Sequence, residues 1–348
     1  MKKLLNKVRR RKPTTDDSSR ITTETIAEHR ERILAGGRRF KYPVQYARHK
    51  LVFNAILIGV GVIALFVAFL GWQLYLVQNT NEFMYRVTKV LPLPVAKVEG
   101  QTVLYSDYLM KYRSSVHYLE EKEQINLSTE DGKRQSDFVK QQAMQDSIAD
   151  AYAKKLAKER NIVVTDAELE TFLKQQRNSS DGVVSEATYE AVILDYYGWS
   201  ADEYRHAMKD KLLRQKVSYA VDDVAQKTAD AVGKAILANA DLKAVAEATN
   251  AANGGQVTYG SLGWVPKTNQ DGGLAAAAAT LQKGGVSKVV KSTSAASEGY
   301  YFVKLVDISA TEVNYDYIYV PLTQFAKLVA DAKTDKYITT PDVTATKE

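Results

Sequence analysis

The stretch Asn253–Ile308 decides how this chain is read. It runs NGGQVTYGSLGWV (253–265), then LQKGGVSKVV (281–290), then EGYYFVKLVDI (298–308). Three short runs rich in Val, Tyr, Trp and Phe are broken by Gly-Gly pairs. One alanine-rich segment, Leu274–Leu281, lies between the first two. Aromatic and β-branched runs bounded by glycine turns predict strands, and the unbroken alanine segment predicts a helix. The C-terminal part of the chain is therefore expected to be a small α+β module built on an antiparallel sheet.

Upstream, charge divides the chain. Residues 1–50 hold 15 Lys/Arg against 5 Asp/Glu, whereas the remaining 298 hold 32 against 36, so the overall +6 hides a basic tail and a mildly acidic body. Between them stands Ala55–Trp72, AILIGVGVIALFVAFLGW, 18 residues without a charged or strongly polar group. Leu51–Val77 extends this run, interrupted only by Asn54 and Gln73. A helix of this length can cross the roughly 30 Å hydrocarbon core of a bilayer. Arg48 and Lys50 flank one end and Trp72 and Tyr75 the other, so the positive-inside rule places residues 1–50 in the cytoplasm and the body outside. A cleaved signal peptide would have a shorter apolar core and a small-residue cleavage site, and Leu76–Thr80 offers none. The expectation is a single-pass type II anchor at 51–77. The basic cluster Arg9–Lys12 and its surroundings suit anionic lipid headgroups. Nucleic acid is not expected as a partner, because no aromatic residue lies within that cluster and no nucleic-acid-binding motif accompanies it.

Within the tail, Thr23–Leu34 reads as a short helix stopped by Gly36-Gly37. Residues 78–94 end in LPLP and read as a stiff extended linker. Val95–Leu104 then reads as a hairpin turning at Glu99-Gly100, running into a helix from Ser106 with Tyr108, Tyr112, Val116 and Leu119 on one stripe. Gln135–Arg160 repeats Met144, Ile148, Tyr152 and Leu156 every four residues. Thr165–Glu168 and Ser200–Glu203 are capping-box signatures, the second with Trp199 and Tyr204 spaced for a hydrophobic staple; Ser185–Tyr197 reads as a helix between them. Asp223–Ala238 and Asp241–Thr249 read as two further helices.

Two resemblances follow from these residues. The order VAKVEG (95–100), helices, and GWSADE (198–203) resembles the N-terminal chaperone module of the SurA/PrsA/PpiD foldases over about residues 95–220. The GG…LGW, G-V-S and GYYFVKLVD pattern resembles the second half of a parvulin-type peptidyl-prolyl isomerase. The resemblance implies an extracytoplasmic folding factor, but this chain departs from the isomerase pattern at each site position. The histidine usually found after the closing Gly-Tyr is Tyr301, and no histidine lies between Ala207 and Glu348. Thr249-Asn250-Ala251 stand where an acidic or Cys residue is usual, and the Met/Phe proline pocket falls near Gln270, Leu274 and Ala279. The strand a parvulin carries before its first helix has no room between the helix ending near Tyr219 and the one starting at Asp223. Val313–Leu322 is a candidate replacement, placing Tyr317 where the first family histidine stands. It pairs either with Val303–Ile308, as a circular permutation would, or with the Val95–Leu104 hairpin.

Other chemistries are poorly supported. The chain has no cysteine, hence no disulfide, thiolate zinc site or Cys nucleophile. The four histidines, at 29, 49, 117 and 206, are scattered, and His117 and His206 read as solvated helix-face residues with no metal partner at helical spacing. No G-x-S-x-G or phosphate-loop motif occurs. Neither a metal nor a cofactor is expected. Tyrosine, by contrast, is abundant at 21 residues. Tyr108, Tyr112, Tyr196, Tyr197, Tyr204 and Trp264 are the candidate client-binding residues, because such rings offer large amphipathic contact area at low entropic cost.

The expected organisation is a cytoplasmic tail (1–50), a transmembrane helix (51–77), a linker (78–94), a SurA-like helical chaperone module (95–220), a degenerate parvulin-like module (221–322), and a C-terminal helix and tail (323–348). The expected activity is cofactor-free, ATP-independent holding of unfolded or newly exported polypeptides. The alternatives are an active isomerase using Tyr301 and Tyr317, and an envelope or translocon-associated scaffold.

Overall fold

A computed structural model describes residues 23–41, 43–179, 182–238, 241–253, 256–292 and 298–341. The cluster Arg9–Lys12 lies outside them. The chain divides into two compact units, Met1–Gly71 and Trp72–Glu348. The first holds α1 (Thr23–Lys41) and α2 (Pro43–Gly71). Helix α1 runs through Gly36-Gly37 instead of stopping there. Each glycine costs a helix interior only about 1 kcal/mol, and the flanking Leu34, Ala35, Arg38 and Arg39 are good helix formers. A π-helical turn, Trp72–Leu76, follows α2. His49–Leu76 is the one helical stretch among the described residues long and apolar enough to cross a membrane, and its apolar window is wholly exposed.

The second unit opens with that π-helical turn, and α3 (Glu82–Val90) follows inside the stretch that reads as a linker. Asn81 caps it by accepting from Met84 N, and Met84, Tyr85 and Thr88 are buried. A single buried stripe over nine residues is too short a signal to outweigh the neighbouring prolines. β1 (Pro94–Val98) and β2 (Gln101–Leu104) form the expected hairpin, with Glu99 and Gly100 both at positive φ (46° and 82°) as a primed turn requires. A third strand, β9 (Thr334–Lys336), pairs with the free edge of β1, Ala96 opposite Lys336. The C-terminal segment is thus more than a helix and tail: it supplies α12 (Gln324–Asp331) and a strand to the sheet begun by the hairpin.

Between these ends of the unit lie α4 (Tyr105–Glu121), α5 (Glu130–Glu159), α6 (Asp166–Gln176), a small hairpin β3 (Asn178–Ser179) and β4 (Gly182–Val183), α7 (Glu186–Tyr197) and α8 (Ala201–Val221). Both capping boxes form: Thr165 and Ser200 accept from the N–H three residues on, and Glu168 and Glu203 reach back to the cap N–H. Helix α5 starts five residues earlier than its apolar pattern, because Thr129 caps it over Gly132, a residue that periodicity does not flag. Packing runs α4 on α5, α5 on α8, and α6 and α7 on α8. Tyr105, Tyr108, Leu109 and Met144 are fully buried there.

Helix α8 ends at Val221 and α9 (Asp223–Ala238) begins two residues later. No strand intervenes. After α10 (Leu242–Asn253) come β5 (Thr258–Pro266), α11 (Leu274–Ala278), β6 (Val290–Lys291), β7 (Gly299–Ile308) and β8 (Glu312–Pro321), in the sheet order β5-β8-β7-β6. Strand β8 pairs antiparallel with β7 on one side (Val303 opposite Tyr317) and β5 on the other (Gly260 opposite Tyr317). Of the two pairings open to Val313–Leu322, the fold-back onto β7 is the one formed; the hairpin takes β9 instead. Period-two alternation then separates two faces. Tyr300, Phe302, Ile318 and Val320 pack under α9 and α10, while Tyr301, Val303, Leu305 and Tyr315 pack under α11.

Asp222 ties these parts together. It is buried, Ala225 N donates to its Oδ1 (2.8 Å), and Thr323 N and Gln324 N donate to its Oδ2 (2.7 and 3.0 Å). Removing the carboxylate strands up to three backbone donors, each worth about 1 kcal/mol or more when left unmade. Asp222→Ala is therefore expected to cost the full chain about 3 kcal/mol in urea unfolding, and Asp222→Asn less; an unchanged midpoint for Asp222→Ala would remove this residue from the account.

Candidate functional site

Helices α4, α5, α7 and α8 enclose an open groove of about 680 Å³. Its apolar lining comes from Tyr118 and Leu119 on α4, Val139 on α5, Tyr196 and Tyr197 at the end of α7, Trp199 beyond it, and Met208 on α8. Tyr118, Tyr196 and Tyr197 are 37, 46 and 43% exposed. Local structure fixes these rings. Gly198 closes α7 in the left-handed region (φ 65°), turning the chain sharply enough that Tyr197 stacks on Trp199 with centroids 5.2 Å apart. Trp199 Nε1 donates to Met110 O (3.3 Å), and Lys122 lies 5.0 Å over the Tyr196 ring while pairing with Asp195. The rings are thus held in place while Tyr118, Tyr196 and Tyr197 stay exposed, and ordering a ligand there costs little side-chain entropy.

Of the residues singled out from sequence, Tyr196 and Tyr197 line this groove. Tyr108, Tyr112 and Tyr204 are buried: Tyr108 stacks on Tyr112, Tyr112 Oη bonds Ser136 Oγ (2.9 Å), and Tyr204 Oη bonds Tyr189 Oη (2.9 Å). Trp199 stacks on Tyr197, and Tyr204 meets Tyr189 edge to face. Trp264 is exposed on the edge strand β5. Tyr118, Trp199 and Met208, outside the candidate client-binding set, also line the groove. The signal for Tyr118 is present as a second stripe on α4, Lys111, Ser115, Tyr118 and Lys122, beside the buried one.

The sheet brings Tyr301 and Tyr317 together, with ring centroids 5.7 Å apart, and stacks Tyr301 on Tyr319 at 4.6 Å. Tyr301 is only 3% exposed. The Tyr317 ring covers Gly260 and the Tyr319 ring covers Gly299; a Cβ on either glycine would run into them, so both positions need glycine. Tyr315 Oη donates to Asp271 Oδ2 (2.6 Å), and the same carboxylate accepts from Leu274 N and Ala275 N to start α11. Burial, then the bond to Asp271, pushes the Tyr315 hydroxyl well above its ordinary range. At the positions of the proline pocket, Gln270 Nε2 donates to Asn178 O (3.0 Å), Leu274 is buried, and Ala279 packs against the same cluster. This face is a tyrosine core.

A third cluster corrects the reading of His206. Asp210 stands one turn on from it and Asp107 faces it from α4, all three ligand atoms within 4.8 Å of one another. Lys154 of α5 occupies the cationic place among them, 2.7 Å from Asp210 and 3.3 Å from Asp107. The group is a charge clamp across α4, α5 and α8, in which an ammonium supplies the positive charge a metal would bring. Lys111, Asp150 and Arg214 form a second link between the same helices.

A family model of the SurA-like N-terminal domain matches residues 45–218, half of the chain, and a model of the PPIC-type PPIASE domain matches residues 212–307. The chain combines a SurA-like helical domain with a parvulin-type module. It belongs to the SurA/PrsA/PpiD type of foldase. No curated protein and no solved structure matches it. The second match stops at residue 307, short of β8, so the strand at the centre of this sheet comes from beyond the matched segment.

The charge clamp predicts a pH dependence. The Asp107 hydrogen bond, opposed by burial, raises His206 above its ordinary value of 6.5. Burial pushes Asp107 up, but His206 and Lys154 outweigh it and leave the carboxyl below its ordinary value. A raised folded-state pKa stabilises fully below the unfolded value and is lost as pH rises through the folded one. The thermal midpoint of the wild-type chain should therefore decline above about pH 6.5, and His206→Gln should flatten that decline. Identical slopes in both proteins would remove His206 from the clamp.

Proposed function

We propose that this chain is a membrane-anchored, extracytoplasmic holdase that binds unfolded or newly exported polypeptides in the α4–α5–α7–α8 groove without nucleotide or cofactor. The observation that carries the reading is the groove itself, about 680 Å³ with four aromatic rings on its lining. Such a site takes many sequences weakly, because ring faces give contact area without demanding one hydrogen-bond pattern. The apolar helix His49–Leu76 and the basic residues before it support a type II anchor with the tail in the cytoplasm, close to anionic lipid.

In this reading the parvulin-like module is a structural part without isomerase activity. Accelerating proline isomerisation means selectively stabilising a twisted imide against a barrier of about 18–20 kcal/mol. The groups facing that task here are stacked tyrosines, with Tyr301 buried and Leu274 part of the core. One observation favours the alternative of a tyrosine-based isomerase: Tyr301 and Tyr317 stand as neighbours, 5.7 Å apart.

Two measurements test these points on the full chain in detergent micelles. Light scattering of several unrelated unfolded clients should fall at stoichiometric ratios without nucleotide, and Tyr197→Ala with Trp199→Ala should weaken that suppression several-fold while the fold is kept. No suppression for any client would move the reading to a dedicated envelope or translocon-associated scaffold. In a proline-peptide assay the wild-type chain should not exceed the uncatalysed rate; catalysis abolished by Tyr301→Phe or Tyr317→Phe would establish the isomerase alternative.

A further inference from the structure

The groove also has a charged part, and its charges do not cancel. Lys111, Lys211 and Arg214 line it together with Asp146 and Asp150. Both aspartates are committed: Asp150 pairs with Lys111 and with Arg214 (3.1 Å), and Asp146 with Arg214 (3.6 Å). Lys211 has no ion pair among the described residues. Its ammonium lies 5.9 Å over the Phe172 ring, an interaction of modest strength. Burial, and the neighbouring Arg214 charge, pull its pKa below the ordinary value; Glu298 acts in the other direction without closing to ion-pair distance. A half-buried cation held without a counter-charge on the lining of the groove is an arrangement that a carboxylate from outside would relieve.

We infer that Lys211 forms a carboxylate subsite, so that the groove prefers extended polypeptide segments in which Asp or Glu accompanies aromatic residues. The inference rests on the holdase reading above and narrows it from any unfolded chain to acidic, aromatic segments. Lys211 acts by direct pairing and the rings by stacking, so the two contributions separate by salt: screening weakens the first and leaves the second.

The test uses the full chain in nanodiscs and three fluorescein-labelled peptides of alternating glycine and tyrosine, matched except for two aspartates, two serines or two lysines. By fluorescence anisotropy at low salt, the aspartate peptide should bind about fivefold tighter than the serine peptide, the scale of one partly desolvated ion pair. Lys211→Met, which keeps the apolar stem, should erase that difference. Lys211→Glu should reverse it in favour of the lysine peptide. Equal binding of the aspartate and serine peptides to wild type overturns the carboxylate subsite and leaves the groove reading intact. A preference that survives in Lys211→Met also overturns it, placing recognition elsewhere, such as in the basic tail. If none of the three peptides binds, the holdase reading falls and this inference falls with it.

Discussion

One buried carboxylate governs how the body of this protein is assembled. Asp222 sits where α8 passes into α9 with no room for a strand, and it accepts backbone N–H groups from α9 and from the start of the segment after β8. A helix beginning and a chain returning from the sheet therefore meet on the same side chain. Because α8 and α9 are joined directly, the sheet lacks a strand from its N-terminal side, and β8 enters between β5 and β7 instead. The chain then leaves β8 next to Asp222, passes through α12, and pairs as β9 beside β1. A charge normally costly to bury is satisfied by backbone donors, so its position is fixed by geometry that no neutral apolar residue reproduces.

That route has a functional consequence. The sheet module lies within the sequence of the helical one, since β1 and β9 bracket it and complete a shared sheet. The groove is formed by helices that the charge clamps at Asp107–Lys154–His206–Asp210 and Lys111–Asp150–Arg214 hold together. The second clamp, Lys111–Asp150–Arg214, lies on the groove's own lining together with the rings. The tyrosines of the sheet show the opposite use of the same residue: Tyr301, Tyr315 and Tyr319 are consumed by stacking and by hydrogen bonds to Asp271 and to the Glu298 carbonyl.

Local signals were legible in the sequence. The two capping boxes, the Glu99-Gly100 turn and the four-residue stripe of α5 each involve residues within one or two turns of one another, and all formed. Long-range choices were less legible. Both pairings of Val313–Leu322 satisfied the same alternation, and only the space left by the α8–α9 junction distinguishes them. Three residues in β9 and nine in α3 gave too short a pattern to stand against flanking prolines and polar residues. Among the tyrosines, periodicity showed that Tyr108 and Tyr112 share a face, but not that α5 covers it. The exposed rings are Tyr118, on a neighbouring stripe of α4, and Tyr196 and Tyr197 at the end of α7, just before the turn at Gly198. The Asp107–His206 contact joins residues 99 positions apart, so only the Asp210 partner, one turn from His206, was available to sequence reading.

The central claim is that unfolded chains dock in the groove of the helical module and not on the sheet. Site-specific photo-crosslinking tests it most directly, with a benzophenone amino acid placed in turn at Leu119 in the groove, at Lys227 in the crevice beside α9, and at Trp264 on the sheet edge. Illuminated with a chemically unfolded reporter protein, the full chain should give adducts from Leu119 and not from the other two positions. Adducts from Lys227 or Trp264 with none from Leu119 would contradict the account.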